Sequence, residues 1–143
     1  MLIKDVMKTD VKTIDKDATI QKAAQLMNKY RVGCLIVVKD DRLMGIITED
    51  DILRKVVSKA KDPSKISVKK CMTKEVIMVS PSDDIETAIE IMLKKRIKKL
   101  PVVSGNKLIG IVTSTDICMA EPKLMKRISE LLLIPSERKM VAG

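Results

Sequence analysis

The chain contains an internal repeat. Residues 7–53 align with residues 72–118 without a gap, at a constant offset of 65 positions, and sixteen of the 47 aligned pairs are identical. Most identical positions are apolar, as in the pairs Ile20/Ile85 and Leu35/Leu100. A repeat of this length predicts two copies of one structural unit. A chain of 143 residues fits one compact domain, or two halves that share a core.

Each copy predicts a strand followed by a helix. Residues 11–14 and 76–79 are strand candidates because they are rich in β-branched side chains. Asp17 and Ser82 are candidate N-caps for the helices that follow. Apolar residues then recur with the spacing of one helical face. The first face is Ile20, Ala23, Ala24 and Met27, and the second is Ile85, Ala88, Ile89 and Met92.

Each copy then predicts a hairpin and a second helix. Residues 34–38 and 100–103 are continuous apolar runs, as expected of strands that are buried on both faces. Polar turns at residues 40–41 and 105–106 lead to return strands at residues 43–47 and 108–112. The complete unit is β-α-β-β-α. Arg31 and Arg96 recur at the end of the first helix, where we expect them to interact with its last carbonyls.

The predicted domain bounds follow from prolines. Asp62-Pro63-Ser64 separates repeat 1 (residues 1–61) from repeat 2 (residues 62–121). Glu121-Pro122 starts a C-terminal segment (residues 122–143), which is predicted to form a helix that ends at Pro135 and to fray after it. Its apolar face is Leu124, Ile128, Leu131 and Leu132. This helix either packs on the core or binds a partner.

Composition excludes some classes of site. Tyr30 is the only aromatic residue and histidine is absent, so there is no platform for stacking bases. The net charge of +9 favours anionic partners but is spread along the chain, without a DNA-binding motif. Cys34, Cys71 and Cys118 lack metal-site spacing, which favours buried reduced thiols. The start of the chain does not resemble a signal peptide, and no apolar run reaches the roughly 20 residues of a membrane span. We therefore expect a cytoplasmic protein that does not enter the membrane.

One polar pattern occurs in both copies, at residues 45–51 and 110–116. Both segments read G-x-x-T-x-x-D. A Thr followed three residues later by an acid is typical of a helix capping box. The alternative is a ligand site: the glycine leaves room for a ligand, the start of a helix favours a phosphate, and a carboxylate can accept hydrogen bonds from ribose hydroxyls.

Together with the run at residues 96–103, Arg-Ile-Lys-Lys-Leu-Pro-Val-Val, these repeats resemble a pair of CBS (cystathionine-β-synthase type) domains. The resemblance covers about residues 1–120. It implies an α+β fold of tandem β-α-β-β-α repeats related by a pseudo-two-fold axis, with two small packed sheets flanked by helices. It also implies two clefts between the repeats that bind AMP, ADP, ATP or S-adenosylmethionine as regulatory ligands, with no cofactor required.

The resemblance assigns residues of both repeats to each cleft. One cleft would use Thr113, Thr115, Asp116, Lys12, Val32, Gly33 and Cys34, and the other Thr48, Asp51, Ile77, Ile97, Lys98 and Lys99. The two differ chemically, because Lys98 and Lys99 replace Gly33 and Cys34, whereas Glu49 and Asp50 replace Ser114 and Thr115. We therefore predict unequal sites. Lys98 and Lys99 could instead be solvated charges at a strand edge.

The predicted function is a regulatory one. No nucleophile with an adjacent base and no metal cluster stands out in the sequence, so we expect a protein that is not an enzyme. It would sense an adenosine ligand, form a homodimer through its helices and signal to an effector protein. The alternatives are a nucleic-acid-binding protein that uses the positive charge, and a structural dimerisation module with empty clefts.

Overall fold

A computed structural model describes residues 1–129, which fall into two compact units. The first-repeat unit is Lys12–Val76, and the second-repeat unit combines Met1–Val11 with the chain from Ile77 onward. Each unit therefore includes the segment that precedes the other repeat in the sequence. We call residues 1–11 and 66–76 the leading segments. The predicted helix residues Leu131 and Leu132 and its end at Pro135 lie outside the described residues.

The elements follow the predicted order except for an additional first helix and the absence of the strand predicted at residues 76–79. They are α1 (Ile3–Val6), β1 (Thr13–Asp15), α2 (Ile20–Tyr30), β2 (Cys34–Lys39), β3 (Arg42–Thr48), α3 (Glu49–Ile52), α4 (Ile85–Lys95), β4 (Lys99–Ser104), β5 (Lys107–Thr113), α5 (Ser114–Ala120) and α6 (Met125–Ile128). A π-helical turn, Leu53–Val57, continues α3, and 3-10 turns cover Val68–Lys70 and Pro122–Leu124. Among residues 1–129, no helix is both long and apolar enough to cross a membrane.

In the first-repeat unit, β1 runs parallel to β2, and β2 pairs with β3 in antiparallel register. Leu35, Ile36 and Val37 on β2 are all almost fully inaccessible, which confirms the prediction of a strand buried on both faces. Helix α2 contributes three of its four predicted core residues, Ile20, Ala23 and Met27. The fourth, Ala24, is exposed, and the partly buried Leu26 packs on the core instead.

In the second-repeat unit, β4 and β5 form the predicted hairpin, and all four predicted residues of the α4 face are buried. The predicted strand at residues 76–79 is wrong, because only Val79 makes a bridge, with Val102. The first repeat explains the difference. There the Ile36 N–H donates to the Lys12 carbonyl, but the residue at the equivalent position is Pro101. Proline has no N–H to donate, so this ladder bond is lost.

The predicted N-caps are also wrong, by two residues in each copy. Helix α2 begins after Thr19, whose hydroxyl accepts the Lys22 N–H at 3.1 Å, and α4 begins after Asp84. At the other end, Arg31 and Arg96 have left-handed backbones and donate their own N–H groups to the Met27 and Met92 carbonyls. These bonds confirm a structural role at the helix end, and it is the backbone that makes them.

The hairpin turns are confirmed. Asp40 and Asp41 have φ angles of 51° and 64°, and Gly105 and Asn106 have φ angles of 53° and 71°. Two consecutive positive φ angles are typical of a type I′ turn, whose twist matches that of the flanking strands. Asp, Asn and Gly tolerate this conformation better than other residues.

The leading segments pair with the second strand of each hairpin. In the first-repeat unit, Ile46 and Thr73 exchange backbone hydrogen bonds of 2.9 and 2.8 Å. In the second-repeat unit, Lys8 and Ile111 exchange two of 2.8 Å. A Cβ atom on Gly45 would lie 2.7 Å from the Thr73 carbonyl oxygen, and one on Gly110 would lie 2.8 Å from the Lys8 carbonyl oxygen. The glycines therefore admit the chain's own segments, and their interpretation as room for a ligand is wrong.

Candidate functional site

Both T-x-x-D elements form complete capping boxes. Thr48 Oγ1 accepts the Asp51 N–H at 3.0 Å, and the Thr48 N–H donates to Asp51 Oδ2 at 3.1 Å. The corresponding distances between Thr113 and Asp116 are both 3.1 Å. The boxes start α3 and α5 and hold each carboxylate in a fixed orientation. The capping interpretation is thus confirmed. A ligand would have to bind the acceptor positions of each carboxylate that the capping hydrogen bond does not use.

The Asp51 carboxylate has two further partners within the first-repeat unit. Thr73 Oγ1 lies 3.3 and 3.4 Å from its two oxygens, and Lys55 Nζ lies 2.9 Å from Oδ1. Lys55 Nζ also donates to the Cys71 carbonyl at 2.9 Å. The Asp51 side chain is only 10% exposed, so this network surrounds the carboxylate from several sides.

The Asp116 carboxylate has a different partner. Lys8 Nζ lies 3.3 Å from Asp116 Oδ1, and the two side chains are 70% and 9% exposed. Lys8 occupies the repeat position of Thr73. A lysine on one leading segment therefore faces one cap, and a threonine on the other leading segment faces the other cap. Sequence reasoning missed Lys8 and Thr73, and the only available signal was their mismatch in the alignment of the two copies.

The predicted turn residues of the first repeat lie beside its cap. The Glu49 N–H donates to the Gly33 carbonyl at 2.9 Å, and Cys34 is the register partner of Thr48. Val32 is partly buried in the same core. Lys12 is placed differently, because its ammonium lies 4.5 Å from the centroid of the Tyr30 ring. The first-repeat unit thus brings together the residues 32–34 and the Thr48–Asp51 cap.

The second repeat shows the same arrangement. The Ser114 N–H donates to the Lys98 carbonyl at 2.9 Å, and Lys99 is the register partner of Thr113. Ile97 belongs to the buried core, so only its backbone is available to a ligand. The remaining predicted residues differ in accessibility, since Thr115 is exposed and Ile77 is partly buried. The assignment of each cap to the turn of the other repeat stays a prediction.

Charges around the two caps are unequal. Asp50 is paired with Arg54, whose Nε lies 2.9 Å from its Oδ1, while Glu49 is exposed. Ser114 at the position of Glu49 is buried and carries no charge. Lys98 and Lys99 are both partly buried, and we find no ion pair for either among residues 1–129.

The cysteines do not form a metal site in the described part of the chain. Within residues 1–129, no group of three or more His, Cys, Asp or Glu side chains is placed to hold a metal ion. Cys71 and Cys118 are buried, as predicted, and burial raises the pKa of both thiols. Lys55 and Lys61 partly oppose the rise in the pKa of Cys71. Cys34 is only partly buried, which corrects the prediction for that residue.

A model of the CBS domain matches the chain twice, over residues 3–58 and 68–123. The chain belongs to the CBS domain family. A CBS domain-containing protein of Bacillus subtilis, YhcV, is 34% identical over 117 residues, which are 82% of this chain and 83% of that protein. An uncharacterized protein of Methanopyrus kandleri, MK0525, is 38% identical over 128 residues, and the match covers 88% of this chain but only 65% of that protein.

A solved structure has the same fold. The crystal structure of Hypoxic Response Protein I with two coordinated zinc ions superimposes with a TM-score of 0.74 at 28% identity, over 83% of this chain and 98% of that one. The match confirms the α+β fold of a CBS domain pair. CBS domain pairs are typically regulatory and ligand-binding, and this chain contains such a pair.

Proposed function

We propose that this CBS domain pair binds an adenosine-containing ligand at its two Thr–Asp elements and signals the occupancy to a protein partner. The candidate ligands are AMP, ADP, ATP and S-adenosylmethionine. The observation that carries the proposal is the pair of capping boxes. Each box holds a largely buried carboxylate in a fixed orientation, next to a turn from the same unit.

The carboxylates have the chemistry that a ribose needs. An ionised carboxylate has about four acceptor positions and no donor. In each box only one of them is used by the backbone N–H of the threonine. The remaining positions can accept the two adjacent hydroxyl donors of a ribose, at the cost of sharing them with Thr73 and Lys55, or with Lys8. Burial strengthens such bonds because water competes less.

Signalling would follow from differential binding. A ligand shifts a conformational equilibrium only by as much as it prefers one arrangement over another. The cap carboxylates contact the leading segments, through Thr73 in one unit and Lys8 in the other. A ribose that competes for these oxygens would change how firmly each leading segment is held. The leading segments are the parts of the chain through which occupancy could be passed on.

Calorimetric titration of the four ligands tests the proposal, on the wild type and on Asp51→Asn and Asp116→Asn. Each substitution should weaken binding at its own site by about tenfold or more, because hydrogen bonds to a charged group are lost. Asp41→Asn is the matched control: it removes the same charge at an exposed turn, where Asn tolerates the positive φ. The proposal fails if no ligand binds, or if both cap variants bind like the control.

The same series tests the rival function. A nucleic-acid-binding protein would bind duplex or single-stranded DNA with a steep salt dependence that ATP does not alter. Eight Lys or Arg residues and two acidic residues lie within residues 53–76, so this segment would be the first place to look. Competition between ATP and the nucleic acid would favour the adenosine site.

We also propose that the chain forms a homodimer. Leu53 and Val57 on the π-helical turn and Met119 on α5 are 55%, 61% and 80% exposed. Exposed apolar side chains on corresponding elements of both repeats are typical of an interface. Sedimentation should show a dimer for the wild type and a shift toward the monomer for the double variant Leu53→Glu/Val57→Glu. A wild-type chain that sediments as a monomer at high concentration would contradict the proposal.

A further inference from the structure

Lys8 differs from its repeat equivalent in a way that bears on ligand choice. Both Lys8 and Thr73 lie on a leading segment, at the bridge to the second hairpin strand, and both face a cap carboxylate. Thr73 contributes a neutral hydroxyl to Asp51, whereas Lys8 brings a full positive charge to within 3.3 Å of Asp116 Oδ1. The fold of the leading segment therefore does not require a cation here.

Lys8 is also held less firmly than the lysine that pairs with the other cap. Lys55 Nζ has two acceptors, Asp51 Oδ1 and the Cys71 carbonyl, and its side chain is 44% exposed. Lys8 is 70% exposed, and we find no second acceptor for its ammonium among residues 1–129. An exposed ion pair of this kind contributes little to stability. Lys8 can leave the carboxylate and reorient without a large loss.

Asp116 presents an electrostatic problem to a phosphorylated ligand. If its carboxylate accepts the ribose hydroxyls, its negative charge lies close to the phosphate on the same ribose. The neighbouring residues Ser114 and Thr115 are uncharged. Lys98 and Lys99 lie next to the same cap along the backbone, but neither makes an ion pair with Asp116 among residues 1–129. Lys8 is the cation that the structure places against this carboxylate.

We propose that Lys8 makes the Asp116 site selective for phosphorylated adenosine ligands over adenosine itself. Its ammonium neutralises Asp116 and pairs with the phosphate of the ligand whose ribose Asp116 accepts. This inference rests on the proposed function. It adds a residue that determines specificity and that the repeat pattern conceals, because the equivalent position in the other copy is a threonine.

The test uses calorimetry with adenosine, AMP and ATP in an Asp51→Asn background, which isolates the Asp116 site. Lys8→Thr, which copies Thr73, should weaken AMP and ATP binding by about tenfold or more because a charge-assisted contact is lost. Adenosine binding should change by less than about twofold. Lys8→Arg should restore the preference for phosphate. Added salt should reduce this preference where Lys8 is present and have little effect in Lys8→Thr.

Lys4→Thr is the matched control, because it removes the same charge from an exposed position of the same leading segment. It should bind all three ligands as before. An equal loss for adenosine and AMP in Lys8→Thr would mean that Lys8 only positions Asp116, and tighter binding of all three would mean that it blocks the site. Unchanged AMP and ATP binding would also overturn the proposal. If the wild-type chain binds no adenosine ligand, the proposed function itself fails, and the initial wild-type titration shows this separately.

Thermal unfolding of each variant accompanies the titrations. Lys8→Thr should unfold cooperatively within a few degrees of its parent, since the ion pair is largely exposed. A folded Lys8→Thr protein with an unchanged ratio of AMP to adenosine affinity overturns the proposal without ambiguity.

Discussion

The two capping boxes have nearly identical hydrogen bonds between Thr and Asp, but the other partners of the two carboxylates differ. Within each box, the two hydrogen bonds between Thr and Asp measure 3.0 to 3.1 Å in both repeats. Outside the box, Asp51 has Thr73 and Lys55 as partners, whereas Asp116 has Lys8. The box itself starts a helix, which both copies need in order to fold. The partners around it are free to differ, so under the proposed function they would give the two sites different ligand preferences.

The largest expected effect concerns a feature that both copies share. Gly45→Ala and Gly110→Ala should each lower the free energy of unfolding by about 2 kcal/mol, because the new Cβ would overlap a backbone oxygen of a leading segment. Urea unfolding measures the loss. Gly105→Asn is the control, since a Cβ atom on Gly105 would meet no other atom within 4 Å and Asn tolerates its positive φ. Unchanged stability of either Ala variant would contradict the close contact between that glycine and the leading segment.

The next effect should distinguish the copies. Asp51→Asn should lower the free energy of unfolding by about 2 kcal/mol and Asp116→Asn by about 1 kcal/mol, because both weaken a cap but only Asp51 also loses a lysine that is anchored to the backbone. Chemical unfolding of the two variants, side by side, gives the difference. An equal cost in both would mean that the Thr73 and Lys55 contacts add nothing to the box.

The smallest effect concerns positions 73 and 8 themselves. Thr73→Val should cost about 1 kcal/mol, since it removes a hydroxyl that donates to a largely buried carboxylate. Lys8→Thr should change stability by less than about 0.5 kcal/mol, because its ion pair is mostly exposed and screened by solvent. Thermal unfolding at low and high salt checks both values. A large, salt-dependent loss in Lys8→Thr would give Lys8 a structural role.

Much of the fold could be predicted because its signals are local or repeated. The α4 face, the β2 run and the turn at Asp40-Asp41 each follow from the spacing or chemistry of neighbouring residues. The errors also have physical causes that only the structure reveals. The strand at residues 76–79 fails because Pro101, more than twenty residues away, lacks the N–H that would complete the pairing. The predicted N-caps are misplaced because Asp17 and Ser82 lie in the turns before α2 and α4.

The candidate site could be predicted only in part. Thr48 and Asp51, or Thr113 and Asp116, lie three residues apart, so their pattern is visible in the sequence. Lys8 and Asp116 come from distant parts of the chain, and no local pattern connects them. The role of Gly110 could not be predicted for the same reason. The backbone oxygen that leaves no space for a side chain at Gly110 belongs to Lys8. Contacts of the leading segments were therefore the part that sequence reasoning could not supply.

Each leading segment packs in the unit of the other repeat, so a sequence repeat and a compact folded unit are not the same stretch of chain. A fragment cut at residue 61 would carry residues 1–11, which pack in the second-repeat unit, and would lack residues 66–76, which its own hairpin requires. The complementary fragment would have the opposite defect. Neither fragment alone contains the leading segment that packs in its own unit. Two fragments mixed together could each bind the leading segment of the other, as in a domain swap. In the intact chain the covalent link makes this binding intramolecular, with a high effective concentration.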